Sequence, residues 1–334
     1  MPLPADAPKA ALTEIVALAP EALATRLAEL APYLQRAYAP NTVRVWRANW
    51  RMWCAFCEAV GEPPLPTRVD VLERFLIHGA NRGLKRATLE QYLATLATVH
   101  TLARLPNPMD SLEGQLMWKG LRRERLVKKQ RQAAAITWET IQAITAQLPV
   151  DDAAAVRDHA LLLVAYETLM RRAELVAMDV KHLDIQRDGS CLVFIPGSKT
   201  DQEREGDHRP LSSATVKVLR AWLERAGITE GAVWRTIPPA WKGDAFVNRL
   251  SGNDVARIFK RRAKLAGLAP DTISGHSTRV GGAQDLLENN FPTASIMLAG
   301  GWKTERMVVR YGRKLSASRN AMAQLQQRRS KAEP

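Results

Sequence analysis

The chain has 334 residues, 46% of them hydrophobic, with 48 lysines and arginines against 34 aspartates and glutamates, a formal net charge of +14. That length predicts two domains rather than one core, and the charge calls for an anionic partner, nucleic acid ahead of a membrane surface. No apolar run nears the roughly 18 to 20 residues that cross a bilayer, and the N-terminus has no basic stretch leading into an apolar one. A cytoplasmic, nucleoid-associated protein with no membrane partner is expected.

Residues 1–20 are rich in alanine and proline and predict a flexible arm. From there to about residue 126 the pattern predicts a helical domain, with helices at 21–36, 41–60, 69–82, 88–104 and 111–126 and breaks at Gly61 to Pro66, Gly83 and Pro106 to Pro108. Cys54 and Cys57 form a C-x-x-C inside the apolar run WRANWRMWCAFCEAV. With no second cysteine pair and no suitably spaced histidine, they predict core packing rather than zinc or redox chemistry. Arg44, Arg47 and Arg51 recur at spacings of three and four, and Lys85 and Arg86 precede the helix opened by Thr88. Such a stripe suits a DNA backbone, its plain alternative being a solvated helix face. The segment RATLEQYLATLATVH also has some likeness to a helix-turn-helix reader.

The stretch from Lys119 to Arg131, KGLRRERLVKKQR, has seven basic residues, Arg122 and Arg123 among them, against one acidic. It predicts a domain boundary near residue 130, with a basic linker at 127–137 that tracks phosphates. The second domain, 138–334, predicts helices at 138–147 and 153–169, then the β-favouring run CLVFIP and a charged hairpin, GSKTDQEREGDHRPLS. Further helices are predicted at 212–226, 252–266, 277–289, 293–299, 303–313 and 316–328. The fold class is therefore mainly α with a small antiparallel β-sheet in the second domain.

The chemistry concentrates between Ile273 and Arg313. His276 and Arg279, three apart, share a helix face, and a helix N-terminus favours anions. Trp302 and Tyr311, nine apart, would lie roughly 180° apart on one unbroken helix. The pair Gly300 and Gly301 offers a way round this: a turn at the tryptophan and a separate helix for the tyrosine. Upstream, Arg171 and Glu174 in RRAEL fit an ion pair at i and i+3, with Arg172 a rival by residue type, and Lys199 sits in the hairpin. No G-x-x-x-x-G-K-[ST] string exists, so GSKT is not an ATP loop.

The strings GHSTRVGG and LAGGW with the downstream tyrosine resemble the C-terminal signature of the tyrosine recombinases, and MRRAEL and the hairpin lysine match that family's order. Most of its members carry histidine where this chain has Trp302; an indole N–H can donate to a phosphate oxygen but cannot titrate. The resemblance spans about residues 22–328. It implies a two-domain, C-shaped DNA clamp and a phosphoryl transfer that needs no cofactor or metal. A phenol ionises near pH 10, so at neutral pH only about one part in a thousand is nucleophilic phenolate. By the resemblance Tyr311 attacks, Arg171 and Arg279 hold the phosphorane, His276 is base or donor, Lys199 protonates the departing 5′ oxygen, and Glu174 orients the cations. The implied product is a 3′-phosphotyrosyl link, exchanged through a four-way junction by a homotetramer on two inverted-repeat sites in double-stranded DNA. The stripe Leu315, Met322 and Leu325 fits a terminal helix that docks on a neighbouring protomer or on its own domain. A type IB topoisomerase and a non-catalytic DNA-binding regulator stay open as alternatives.

Overall fold

The computed structural model describes residues 29–34, 36–126, 132–197, 205–237 and 248–312, with Met322, Leu325 and Arg329. The fold is mainly helical with a three-stranded antiparallel sheet, and the chain divides into two compact units, Met1–Gln130 and Arg131–Pro334.

In the first unit, residues 29–34 and 36–37 are helical. Four longer helices follow: α1 (Pro40–Val60), α2 (Val69–Asn81), α3 (Arg86–Ala103) and α4 (Leu112–Glu124). Gly61, at φ 70°, stops α1 and donates its N–H to the last carbonyls. Helices α1 to α3 bury an aromatic seam in which Trp53 meets Phe75 at 5.2 Å and Phe75 meets Tyr92 at 5.1 Å, both edge to face. Trp50, Trp53, Cys57, Leu72, Leu76 and Leu89 are all fully buried around it. Burial pushes the Cys54 and Cys57 thiols up to about 11 and about 12, the values of packing residues rather than reactive ones. RATLEQYLATLATVH falls inside the unbroken α3, so the likeness to a helix-turn-helix reader is corrected: leucines at 89, 93 and 96 and Val99 continue one apolar stripe where a turn would be needed.

The second unit is built on α6 (Ala153–Glu167), which follows α5 (Trp138–Thr145) and is buried on nearly every side, as its run of Leu161 to Ala165 requires. A short helix, α7 (Arg172–Ala177), leads to the sheet: β1 (Leu183–Ile185), β2 (Cys191–Ile195) and β3 (Asp207–Leu211), paired in that order. Cys191, Val193 and Ile195 alternate inward, and the register sets Cys191 opposite Leu211 and Ile195 opposite Asp207. The edge strand β1 is not anticipated by the sequence pattern; three residues are too few to show a period. Then come α8 (Ser213–Arg225), α9 (Gly252–Ala263), α10 (Ser277–Glu288), α11 (Thr293–Gly300) and α12 (Glu305–Tyr311). No described helix is long and apolar enough to cross a membrane.

Candidate active site

The expected site residues of the second unit come from four short pieces of chain. The first begins where α6 ends: Leu169 takes the left-handed conformation at φ 50°, uncommon for a branched residue, and turns the chain into Arg171. Arg171 is the N-cap of α7. The Glu174 carboxylate accepts from the Arg171 backbone N–H at 2.8 Å and from its guanidinium Nη1 at 2.6 Å, which fixes the arginine at a helix start.

His276 is the N-cap of α10, and Arg279 lies in its first turn. Helix α10 is pressed close to its neighbours: a Cβ on Gly281 would stand 1.9 Å from the Ile136 carbonyl oxygen, and one on Gly282 2.5 Å from the Leu169 side chain. The glycine pair of GHSTRVGG is therefore a packing requirement. Arg279 is 3% exposed. It donates to the Leu169 carbonyl and, at 2.5 Å, to the Gly300 carbonyl, tying the Arg171 turn to the end of α11. With a further hydrogen bond to the Tyr311 side chain, two of its five N–H groups remain for other acceptors.

Gly301 ends α11 in the left-handed conformation, and Trp302 then folds back so that its ring lies where a Gly300 Cβ would be, 2.2 Å from that position. The indole covers the Arg279 guanidinium at 4.3 Å and meets the Tyr311 ring at 5.3 Å. Trp302 packs with Leu169, Ala283, Ile296 and Val308, while its Nε1 is buried without a hydrogen-bond partner among the described residues. Tyr311 closes α12 within hydrogen-bonding reach of Arg279, and its backbone carbonyl accepts from Gln284 at 3.1 Å. The turn and the separate helix do bring tryptophan and tyrosine together.

The charges act on one another. Burial, then the Arg171 charge, holds the Arg279 guanidinium down to about 10 against the opposing effects of Tyr311 and Glu174. Partial burial, then Arg279, Arg172 and Arg171, holds His276 below the usual imidazole range, partly offset by Glu174. At neutral pH its ring is an uncharged acceptor.

A family model described as the phage integrase family matches residues 135–317. The chain belongs to that family, the tyrosine recombinases. Among curated relatives it is 27% identical over 305 residues to the Cre recombinase of Escherichia phage P1, covering 87% of this chain and 89% of the relative. It is 26% identical over 288 residues to an integrase/recombinase XerD homolog of Selenomonas ruminantium, covering 83% of each. Two solved structures share the fold. XerH recombinase bound to a palindromic difH substrate has a TM-score of 0.64 at 15% identity, covering 96% of this chain and 98% of that one. A lambda integrase dimer bound to a core site has a TM-score of 0.60 at 17% identity, covering 86% and 94%.

In this recombinase, then, Arg171, Glu174, His276, Arg279, Trp302 and Tyr311 share one region of the second unit. Lys199 lies outside the described residues, though the strand ends that flank its segment, Ile195 and Glu205 to Asp207, line the same cavity of about 1110 Å³ as Arg171, Glu174 and Trp302. The expected DNA contacts are all in the first unit. Arg44 and Arg51 are exposed on α1 with Arg47 half-buried between them, and Lys85 and Arg123 are exposed. Arg86 pairs with Glu90 at 2.7 Å, and Arg122 lies over Trp118 at 5.8 Å. Three features escape sequence reasoning. The buried Arg209 of β3 pairs with Asp207 at 2.6 Å and backs the Gly301 turn. Tyr166 and the Trp138 backbone both donate to Asp285, at 2.5 and 2.8 Å, bracing α10. Arg172, weighed in the sequence only as a rival of Arg171, stands beside His276. None follows a recognisable spacing, since each depends on elements far apart in the chain.

Proposed function

We propose that this enzyme is a site-specific DNA recombinase in which Tyr311 attacks a phosphodiester to form a 3′-phosphotyrosyl link. The observation that carries this reading is the contact of Trp302 with both Tyr311 and Arg279, with His276 and the Arg171–Glu174 pair alongside. Arg171 and Arg279 provide fixed positive charge for the phosphorane in a partly desolvated setting. The orphan indole N–H of Trp302 is a buried donor that a phosphate oxygen would satisfy. His276, held neutral, accepts the phenol proton. Lys199 is the proposed acid for the departing 5′ oxygen. The chain holds positive charge and proton donors enough for the transfer to run without metal or ATP, because the phosphotyrosyl bond keeps the phosphodiester's energy for the second strand's attack.

In full, four protomers act on two inverted-repeat sites through a four-way junction, and the exposed basic residues of α1, α3 and α4 hold the duplex. Met322 and Leu325, 60% and 39% exposed, leave an apolar C-terminal face for a neighbouring protomer.

The test is covalent trapping. DNA selected by binding from a genomic pool is rebuilt with a nick in the spacer and incubated with protein in chelator. A protease-sensitive adduct that disappears with Tyr311→Phe is expected. Specific binding with no adduct in either protein would leave a DNA-binding regulator instead, and relaxation of any plasmid by the monomer would leave a topoisomerase.

A further inference from the structure

Arg172 stands in the same cluster, yet the reading above leaves it without a task. Its stem is laid across two glycines that belong to other pieces of chain. A Cβ on Gly275 would stand 3.0 Å from the Arg172 Cδ, and one on Gly252 would stand 3.4 Å from both Cδ and Nε. Gly275 immediately precedes His276, and Gly252 opens α9. The methylenes of the arginine thus pass close to both glycines, while the residue as a whole stays exposed.

The surroundings define the ligand. Arg172 is exposed, and among the described residues it makes no ion pair. The one carboxylate of the cluster, Glu174, is committed to Arg171 at 2.6 Å. Arg171 and Arg279 less Glu174 leave one net positive charge, and Arg172 raises it to two. A planar guanidinium beside the proposed phosphate site, with no ion pair among the described residues, suits a second phosphate through paired N–H···O bonds.

We propose that Arg172 binds a DNA backbone phosphate adjoining the one held by Arg171 and Arg279, fixing the strand in register over Tyr311. This rests on the strand-transfer reading above.

The experiment measures binding of the full-length chain carrying Tyr311→Phe to the selected DNA between 0.05 and 0.2 M salt, with and without Arg172→Ala. Loss of one phosphate contact lowers the slope of log K against log salt by about 0.9, so affinity falls about 3.5-fold less across that range. The same change is expected on unrelated DNA, and Arg172→Lys recovers the slope. An unchanged slope in Arg172→Ala overturns the proposal. So does an unchanged slope with loss of adduct when Tyr311 is intact, which would put Arg172 on the scissile phosphate. The wild-type adduct assay runs on the same DNA: if wild type forms none, the strand-transfer reading fails, while the slope still decides whether Arg172 holds a phosphate.

Discussion

Around Asp158 three arginines converge on one carboxylate: Arg157 at 2.7 Å, Arg261 at 2.7 Å and Arg262 at 2.8 Å, with Asp158 fully buried. Around Glu174 there are also three arginines, Arg171, Arg172 and Arg279, but only Arg171 is committed to it. The residue types and formal charge are the same in both places. In the first cluster the donors meet one buried internal acceptor, and α6 is joined to α9. In the second, Arg279 is held by carbonyls and an indole, and Arg172 by methylene contacts. Arg279 stays buried, and Arg172 is exposed with no ion pair among the described residues. A structural cluster and the proposed phosphate site thus differ in where the hydrogen bonds end, which composition does not reveal.

The contrast can be broken from either side. The largest expected effect is at Tyr311: Tyr311→Phe abolishes the adduct, because the ring has no oxygen to bond phosphorus, while leaving the thermal transition in place, since the contact with Trp302 is kept. Next is the saturated cluster. Asp158→Ala strands buried guanidinium charge and is expected to destabilise the second unit by about 3 kcal/mol, at the low end for a broken buried pair because Arg261 is half exposed. Denaturant unfolding of the full chain checks this, and an undiminished transition would mean the cluster is not structural. Trp302→Phe keeps the packing over Arg279 but removes the N–H. It is expected to reduce cleavage by about 10²-fold, the cost of one lost transition-state donor, with partial recovery in Trp302→His.

The pH profile gives a smaller effect. His276 has its pKa depressed, so the neutral ring persists below pH 6.5, its ordinary value, and adduct formation declines only as pH falls further. Arg172→Ala removes a positive neighbour and moves that decline to higher pH; Glu174→Gln removes a negative one and moves it lower. Single-turnover adduct formation across pH reads both. The smallest effect belongs to the first unit. His100, fully buried, accepts from the Thr67 N–H at 3.2 Å and bonds the Leu96 carbonyl at 2.8 Å, with its pKa lowered by burial. The unfolded chain binds a proton below about pH 6.5 and the folded one does not. Stability is therefore full above that pH and is lost as pH falls from the unfolded value toward the lower folded one, so thermal unfolding should shift downward there and much less in His100→Gln.

Much of this was legible in the sequence because it is written locally. Helix positions follow from the apolar period and from Gly61, Pro106 and Gly301. The proposed phosphate chemistry rests on His276, Arg279, Trp302 and Tyr311, which lie within one stretch of chain. The nine-residue spacing of Trp302 and Tyr311, with the glycine pair before it, offered a turn as the way for both to face one phosphate. Tertiary structure alone decided what depends on distant partners: that Leu169 and Gly300 supply the carbonyls holding Arg279, that β1 pairs at the sheet's edge, and that Gly252 and Gly275 carry Arg172. It also decided which arginine cluster converges on one buried carboxylate and which has a single ion pair among the described residues. Residue type and spacing set what a side chain can do; whether its donors are already used depends on which backbone and carboxylates folding brings within 3 Å, and those come from elsewhere in the chain.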